Sequence, residues 1–281
     1  MKIRRITYPA ILAAGLLTAA AGCTESDEGP VAPKPVIEGW IDSDGHPTVL
    51  FTLSLKPDEN GYIADKMVRW GKVTVSDGEK SVVLTGTPDD RYFPPYRYYS
   101  MNICGEPGKT YTIVADNGEG LTATASCLMP CPTPIDRIEV EPTEVDTLRA
   151  ATLVFTAPDD CPAYYYVSIR DLKDLGRPKP GLLGTAEALK PGAEVRVPVM
   201  HSKSHLSNKG YVPQLIRGER LEVRLNRVSR EVYDFWRAYS DLVLFGDSEF
   251  VTSNAPMPTN VEGGYGIWSA QGSAMQILEV K

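Results

Sequence analysis

The side chains whose type and spacing could do chemistry are few. Gly246-Asp247-Ser248 follows the apolar run of residues 242–245, and a serine placed after such a run becomes a nucleophile when a histidine takes its proton beside an oxyanion hole. No histidine follows residue 205, so the order of serine first and histidine near the end is not met, and Ser248 is expected in a polar turn. His201-x3-His205 would set two imidazoles on one helical face for a metal. Its neighbours Ser202, Lys203 and Ser204 offer no carboxylate and one repelling cation, so a solvated loop is expected. Asp42-Ser43-Asp44-Gly45 opens like a calcium loop but lacks the bidentate glutamate at loop position 12, which favours a hairpin turn. Three histidines and seven methionines give haem or copper little to hold on to. The expectation is a protein that is not an enzyme, with no catalytic residue, no metal site and no cofactor.

Binding chemistry is better represented. Residues 91–99 (RYFPPYRYY) gather Tyr92, Phe93, Tyr96, Tyr98 and Tyr99 around two prolines and two arginines. Rigid rings with polar tips make good contact area for a ligand or a partner protein, and they fill sandwich cores or domain seams equally well. Tyr164, Tyr165 and Tyr166 alternate across a strand, so two of them face outward or toward a seam. Four cysteines besides Cys23, namely Cys104, Cys127, Cys131 and Cys161, suit disulfides in an exported chain. Of the three pairings, strand topology favours Cys104 with Cys127 and Cys131 with Cys161; free thiols and a four-cysteine zinc site are the alternatives.

The elements that must position these groups are mostly strands. Residues 49–55 alternate Val49, Phe51, Leu53 and Leu55 with Leu50, Thr52 and Ser54, the period of a β-strand. Asp77-Gly78 and Asn117-Gly118 sit between strand-like runs and tolerate the positive φ of tight hairpins. About seven strands in residues 36–130 fit an immunoglobulin-like sandwich. The stretch 128–134 (LMPCPTP) interrupts any regular element. A second β-rich domain, 135–281, follows, with strands near residues 138–140, 153–156, 164–169, 195–199 and 220–226. In the last of these Leu221, Val223 and Leu225 face inward and Arg220, Glu222 and Arg224 outward. A helix near residues 229–243, capped by Ser229, carries Val232, Phe235, Trp236, Tyr239 and Val243 as a core-facing stripe. Residues 176–192 and 201–218 read as long polar connections, functional or mobile. The fold class is therefore mostly β: two β-sandwich-like domains, the first immunoglobulin-like, the second with one or more short α-helices.

With 281 residues, 24 glycines and 23 prolines, the composition favours strands and turns over a helical bundle. Residues 1–22 carry Lys2, Arg4 and Arg5 and then an uncharged run of small and apolar residues, the layout of a secretory signal and too short to span a bilayer. Ala20-Ala21-Gly22-Cys23 resembles the lipobox of bacterial lipoproteins, which makes Cys23 the lipidated first residue of the mature chain. Residues 23–35 form a flexible tether with a proline-rich end (GPVAPKP), and the dozen or so residues from anchor to fold could reach roughly 35 to 40 Å. Loss of the signal takes the net charge from −7 to about −10, and so acidic a chain is a poor partner for nucleic acid.

The opening Val36-Ile37-Glu38-Gly39-Trp40-Ile41, the segment from Leu221 through Ser229, Tyr233 and Tyr239, and the closing Asn260-Val261-Glu262-Gly263-Gly264-Tyr265-Gly266-Ile267-Trp268-Ser269-Ala270 together resemble an uncharacterised Bacteroidetes lipoprotein family, the domain of unknown function 4249. Thr24-Glu25-Ser26-Asp27-Glu28 is similar to the export tag of that group's surface lipoproteins. The resemblance implies an outer-membrane protein held by its acyl chains, facing the cell exterior and working with a TonB-dependent receptor, with an unknown nutrient ligand and no residues of known role. The glycine cluster itself reads as a bulged terminal strand rather than a phosphate cradle, since no helix follows it. The leading expectation is a non-catalytic nutrient-binding or accessory partner of such a receptor. A structural or adhesive surface lipoprotein is the alternative, and a hydrolase the third.

Overall fold

The computed structural model describes residues 32–55, 61–174, 176–201, 206–207, 210–211, 213–245 and 257–281. Cys23, His205 and Ser248 lie outside them. In the first half β1 (Pro35–Asp42), β2 (Thr48–Leu53), β3 (Lys72–Ser76), β4 (Ser81–Val83), β5 (Thr85–Pro88), β6 (Tyr96–Tyr99), β7 (Thr110–Asp116) and β8 (Thr122–Leu128) follow one another. The second half holds β9 (Arg137–Pro142), β10 (Leu148–Thr156), β11 (Ala163–Asp171), β12 (Lys179–Ala188), β13 (Glu194–Val199), the short β14 (Leu206–Ser207), β15 (Gly210–Tyr211) and β16 (Leu215–Ile216), then β17 (Arg220–Val228). Helix α1 (Arg230–Phe245) and the long strand β18 (Tyr265–Glu279) complete the described elements. No described helix is long and apolar enough to cross a membrane.

An eight-stranded sheet in the order β12-β11-β17-β18-β1-β2-β6-β5 runs through both halves of the chain. β18 makes it continuous. Residues Tyr265 to Gln271 pair parallel with β1, and Gly272 to Glu279 pair antiparallel with β17. The first four-stranded sheet, β4-β3-β7-β8, faces the β1 end; β13-β10-β16, with β9 on β10, faces the β17 end. Each pair of sheets encloses its own apolar cluster, the first around Ile37, Val73, Tyr111, Ile113 and Trp268, the second around Leu153, Phe155, Tyr165, Val223 and Leu225. The first sandwich is therefore closed by the far end of the chain. Trp268, fully buried, donates its indole N–H to the Tyr111 carbonyl at 2.9 Å. Gly266 (φ +98°) lets β18 lie against β1, since a Cβ there would meet the Ile37 carbonyl oxygen at 1.9 Å.

The hairpins form where the glycines foretell them, with Gly78 and Gly118 at positive φ between β3 and β4 and between β7 and β8. Three local expectations are corrected. Residues 179–188, inside the first polar connection, are the edge strand β12. Glu222 does not face water: β17 lies inside the large sheet and is buried on both faces, and Glu222 is paired with Arg170 and Arg224. His201 is buried rather than solvated, with Nε2 3.0 Å from Glu219 Oε2.

The strand period decides where side chains of the large sheet go. On β1, Ile37, Gly39 and Ile41 point into the first core, which leaves Glu38, Trp40 and Asp42 on the opposite face. The register places Leu50 beside Glu38, and Ile267, Ser269 and Gln271 beside Glu38, Trp40 and Asp42. That outer face is roofed by α1, whose Ser229 cap accepts from the Val232 N–H at 3.5 Å and whose Val232, Tyr233 and Trp236 are buried.

Candidate functional site: a cleft between the two sandwiches

The outer face of the sheet, α1 and residues 177–180 enclose a cleft of about 370 Å³, within the range of small-molecule sites. One wall comes from the first sandwich: Leu50 and Glu38 on the sheet, and Arg91, Tyr92 and Phe93 on the connection before β6. The facing wall is Phe235, Trp236 and Tyr239 of α1, and the rim is Arg177, Lys179 and Pro180. Helical spacing of 235, 236 and 239 turns these rings to one side, and they brace each other edge to face, at 5.0 Å between Phe235 and Trp236 and 5.7 Å between Trp236 and Tyr239. A narrow recess of about 30 Å³ adjoins it, room for about two waters. It reaches Asp42, Tyr166, Arg224, Ser269 and Gln271 on the sheet.

Charge at the cleft is ordered by ion pairs. The Arg177 guanidinium pairs with Glu38 and stacks over Trp40, 4.3 Å from the ring centroid, so it is held by a charge and a π face together. Trp40 lies 6.2 Å from Tyr92. Asp89 fixes the 91–97 segment: Arg91 donates Nε to Oδ1 at 2.7 Å and Nη2 to Oδ2 at 2.6 Å, and Arg97 Nε lies 2.7 Å from Oδ2. The Arg91 hydrogen bonds, with the Arg97 charge behind them, outweigh burial and hold the Asp89 carboxyl at about 2. Burial, reinforced by the Glu38 charge, pushes the Tyr239 phenol up, so it stays a neutral donor.

Beneath the recess a buried polar network spans the junction. Gln271 Oε1 accepts from Tyr166 Oη at 2.7 Å and Ser269 Oγ at 3.1 Å, while its Nε2 donates to Asp42 Oδ1 at 2.6 Å. Ser273 Oγ sits 2.9 Å from Asp42 Oδ1 and 2.8 Å from Asn226 Oδ1. Asn226 Nδ2 donates to Ser168 Oγ at 3.0 Å and the Tyr166 carbonyl at 3.2 Å. Burial pushes the Glu222 carboxyl up, but hydrogen bonds and charges from Arg170 and Arg224 overcome it and keep the group below the usual carboxylate range.

The family model described as Domain of unknown function (DUF4249) matches residues 24–277. The chain belongs to this family. No curated protein matches it. Among solved structures it is similar to a two fibronectin type-III domain segment from chicken tenascin, at 12% identity and a TM-score of 0.24, covering 88% of this chain and 98% of that one. A cytokine receptor complex (crystal form 1A) matches at 13% identity and a TM-score of 0.23, over 70% of this chain and 85% of that one.

Strand alternation divides the aromatic segment of this DUF4249 chain. Tyr92 and Phe93 line the cleft, Phe93 being 70% exposed. Tyr98, which pairs with Val49, points inward, is buried and donates its hydroxyl to the Val68 carbonyl at 2.8 Å; burial pushes that phenol up to about 12. Tyr96 lies on the same inner face and donates to the Arg69 carbonyl at 3.0 Å. Tyr98 belongs to the first core, a correction to its expected contact role, and Tyr96, half-buried, packs against that core. Tyr99 faces outward beneath Arg97, 4.5 Å from its centroid. The expected disulfides are not formed: Cys104, Cys127, Cys131 and Cys161 are all free thiols. Cys127 points into the first core toward the Ala270 carbonyl, while Cys104 is exposed in the loop before β7. Asp42 turns its carboxylate to Gln271, Ser273 and Arg224.

Sequence reasoning missed Trp40, Arg177, Lys179 and the cleft role of Phe235, Trp236 and Tyr239. The density of rings at 233, 235, 236 and 239 was the available signal, because one helical stripe cannot bury so many large rings on a single core.

Proposed function

We propose that this DUF4249 chain is a non-catalytic binding protein, anchored through Cys23 to the outer face of the outer membrane, that holds a nutrient in the inter-sandwich cleft beside a TonB-dependent receptor. The observation that carries the binding part is the cleft itself, about 370 Å³ with aromatic walls contributed by both sandwiches. Ring faces supply contact area at low entropic cost, and the charged groups at the cleft, Arg177 with Glu38 and Arg91 with Asp89, are paired for holding rather than for proton transfer. Anchoring the binder and a receptor in one membrane raises their effective concentration. The signal layout and the residues around Cys23 support the address.

The test is purification of the lipidated protein from its native membrane in mild detergent, with mass spectrometry of the proteins and small molecules that accompany it. A stoichiometric TonB-dependent receptor supports the transport role, and recovery of the lipoprotein alone shifts it to adhesion. Cys23→Ser is expected to release the protein into the soluble fraction; retention in the membrane would refute the acyl anchor.

A further inference from the structure

We propose that the cleft selects a small carboxylate carried on a flat, apolar body, such as an aromatic acid. This rests on the cleft being the ligand site and adds the chemistry of what enters. Three cations border the main compartment, Arg91, Arg177 and Lys179, against the single acid Glu38, in a chain whose net charge is −7. With Asp89 on Arg91 and Glu38 on Arg177, the cleft keeps one net positive charge, at Lys179, which favours an anion over a cation there. Arg91 and Arg177 have acidic partners, while Lys179, exposed at the rim, has no ion pair among the described residues. It is the cation open to a new anion.

A second observation points to an acceptor on the ligand. Trp236 is 8% exposed, lines both compartments, and its indole N–H has no hydrogen-bond partner among the described residues. Buried donors are ordinarily satisfied, and an oxygen entering beside this ring would satisfy this one. The body of the ligand follows from the walls. Leu50, Phe93, Pro180, Phe235 and Trp236 are apolar, and the residues lining the main compartment include no Asn, Gln, Ser or Thr. Beside the Trp236 N–H, the Tyr92 and Tyr239 hydroxyls are the neutral polar side-chain groups on that lining, few for a polyol with a hydroxyl on nearly every carbon. A planar apolar ring needs only the faces that Tyr92, Phe93 and Phe235 present.

The probes are 2-naphthoate, its uncharged counterpart 2-naphthylmethanol, and glucuronate, each titrated into the full mature chain carrying Cys23→Ser with tryptophan fluorescence and calorimetry as readouts. Naphthoate is expected to bind about tenfold more tightly than the alcohol, as a charge-assisted hydrogen bond would give, and to weaken with added salt. Lys179→Gln should lower naphthoate affinity roughly fivefold and leave the alcohol unchanged, whereas Phe235→Ala should weaken both. Equal affinity for acid and alcohol overturns the anionic selection while leaving the cleft a binding site. Tighter binding of glucuronate overturns the apolar body. Binding of none of the three overturns the ligand class, and the cleft reading is then judged separately, by whether Phe235→Ala abolishes the small molecule that accompanies the protein from its native membrane.

Discussion

Trp268→Ala should cost the first sandwich much of its stability, although residue 268 lies far outside the stretch that forms the rest of that core. The indole is fully buried, packs against Gly39 so closely that a Cβ there would come within 2.8 Å of it, and bonds the Tyr111 carbonyl. Asn260 clamps the same residue, accepting its N–H at 3.0 Å and donating to its carbonyl at 2.7 Å. Removing a buried tryptophan costs about 3–5 kcal/mol, against a total stability of roughly 5–15 kcal/mol for a folded domain. Trp268→Phe keeps most of the ring and loses the hydrogen bond, so it should cost about 1–2 kcal/mol. Urea unfolding followed by near-ultraviolet circular dichroism reads both. A loss below about 1 kcal/mol for the alanine variant, outside the range for a buried indole, would refute the placement of residues 265–271 in the first core. The same reasoning says that a chain ending at residue 134 should not unfold cooperatively, because β1 would lose its β18 neighbour.

Gly266→Ala should destabilise by about 3 kcal/mol or more, since φ of +98° is costly for alanine and its Cβ would strike the Ile37 carbonyl; a midpoint within error of wild type in the same urea assay would contradict this close approach. Asp89 has a folded pKa lowered to about 2, so its contribution to ordering residues 91–97 should be complete above about pH 4, where the unfolded carboxyl ionises, and be lost as pH falls from there toward 2. Asp89→Asn should remove that acid dependence, followed through the Arg97 side-chain resonance by NMR. A thiol reagent should label Cys104 and Cys131 quickly in the native protein and Cys127 only on unfolding, because Cys127 is buried and burial pushes its thiol up. Absence of labelling in denaturant without reductant would show the cysteines to be oxidised.

What the sequence disclosed follows from how local its causes are. The hairpin at Asn117-Gly118 is readable because its turn is closed within the short run from Asn117 to Leu121, and the alternation of residues 49–55 is readable because period two is a property of the strand alone. The partner of β1 is not a local property. Val36 to Asp42 pair with Tyr265 to Gln271, and nothing in either run specifies the other, so the chain looks like two sandwiches in succession when the first is closed by its end. The phase of β6 is likewise set from outside, by Val49 against Tyr98. That pairing sends Tyr96 and Tyr98 inward and leaves Tyr92 and Phe93, beyond the strand, at the cleft. β12 is hidden because Pro180, Gly181 and Gly184 resemble a loop. Gly181 is required by neighbouring backbone, a Cβ there falling 2.8 Å from the Met200 carbonyl oxygen.

The polar junction explains how two sandwiches joined by one strand can hold a cleft of fixed width. β18 changes partner between Gln271 and Gly272, and a Cβ at Gly272 would fall 2.3 Å from the Pro130 carbonyl oxygen, where the linker crosses it. An apolar seam at this point would tolerate sliding, because dispersion contacts are non-directional. The seam instead consists of Tyr166 and Asn226 from the second sandwich, Asp42 from the first, and Gln271 and Ser273 on the shared strand, joined by directional bonds of 2.6 to 3.2 Å. Rotating one sandwich against the other would leave several buried polar atoms unpaired at about 1–3 kcal/mol each. The angle between sandwiches is therefore stiff, and the walls carried by Tyr92 and by Phe235 stand opposed before any ligand arrives. Such preorganisation lowers the entropic cost of binding, and under the proposed function the selectivity of the cleft would then lie in its fixed rings and rim charges rather than in closure around a ligand.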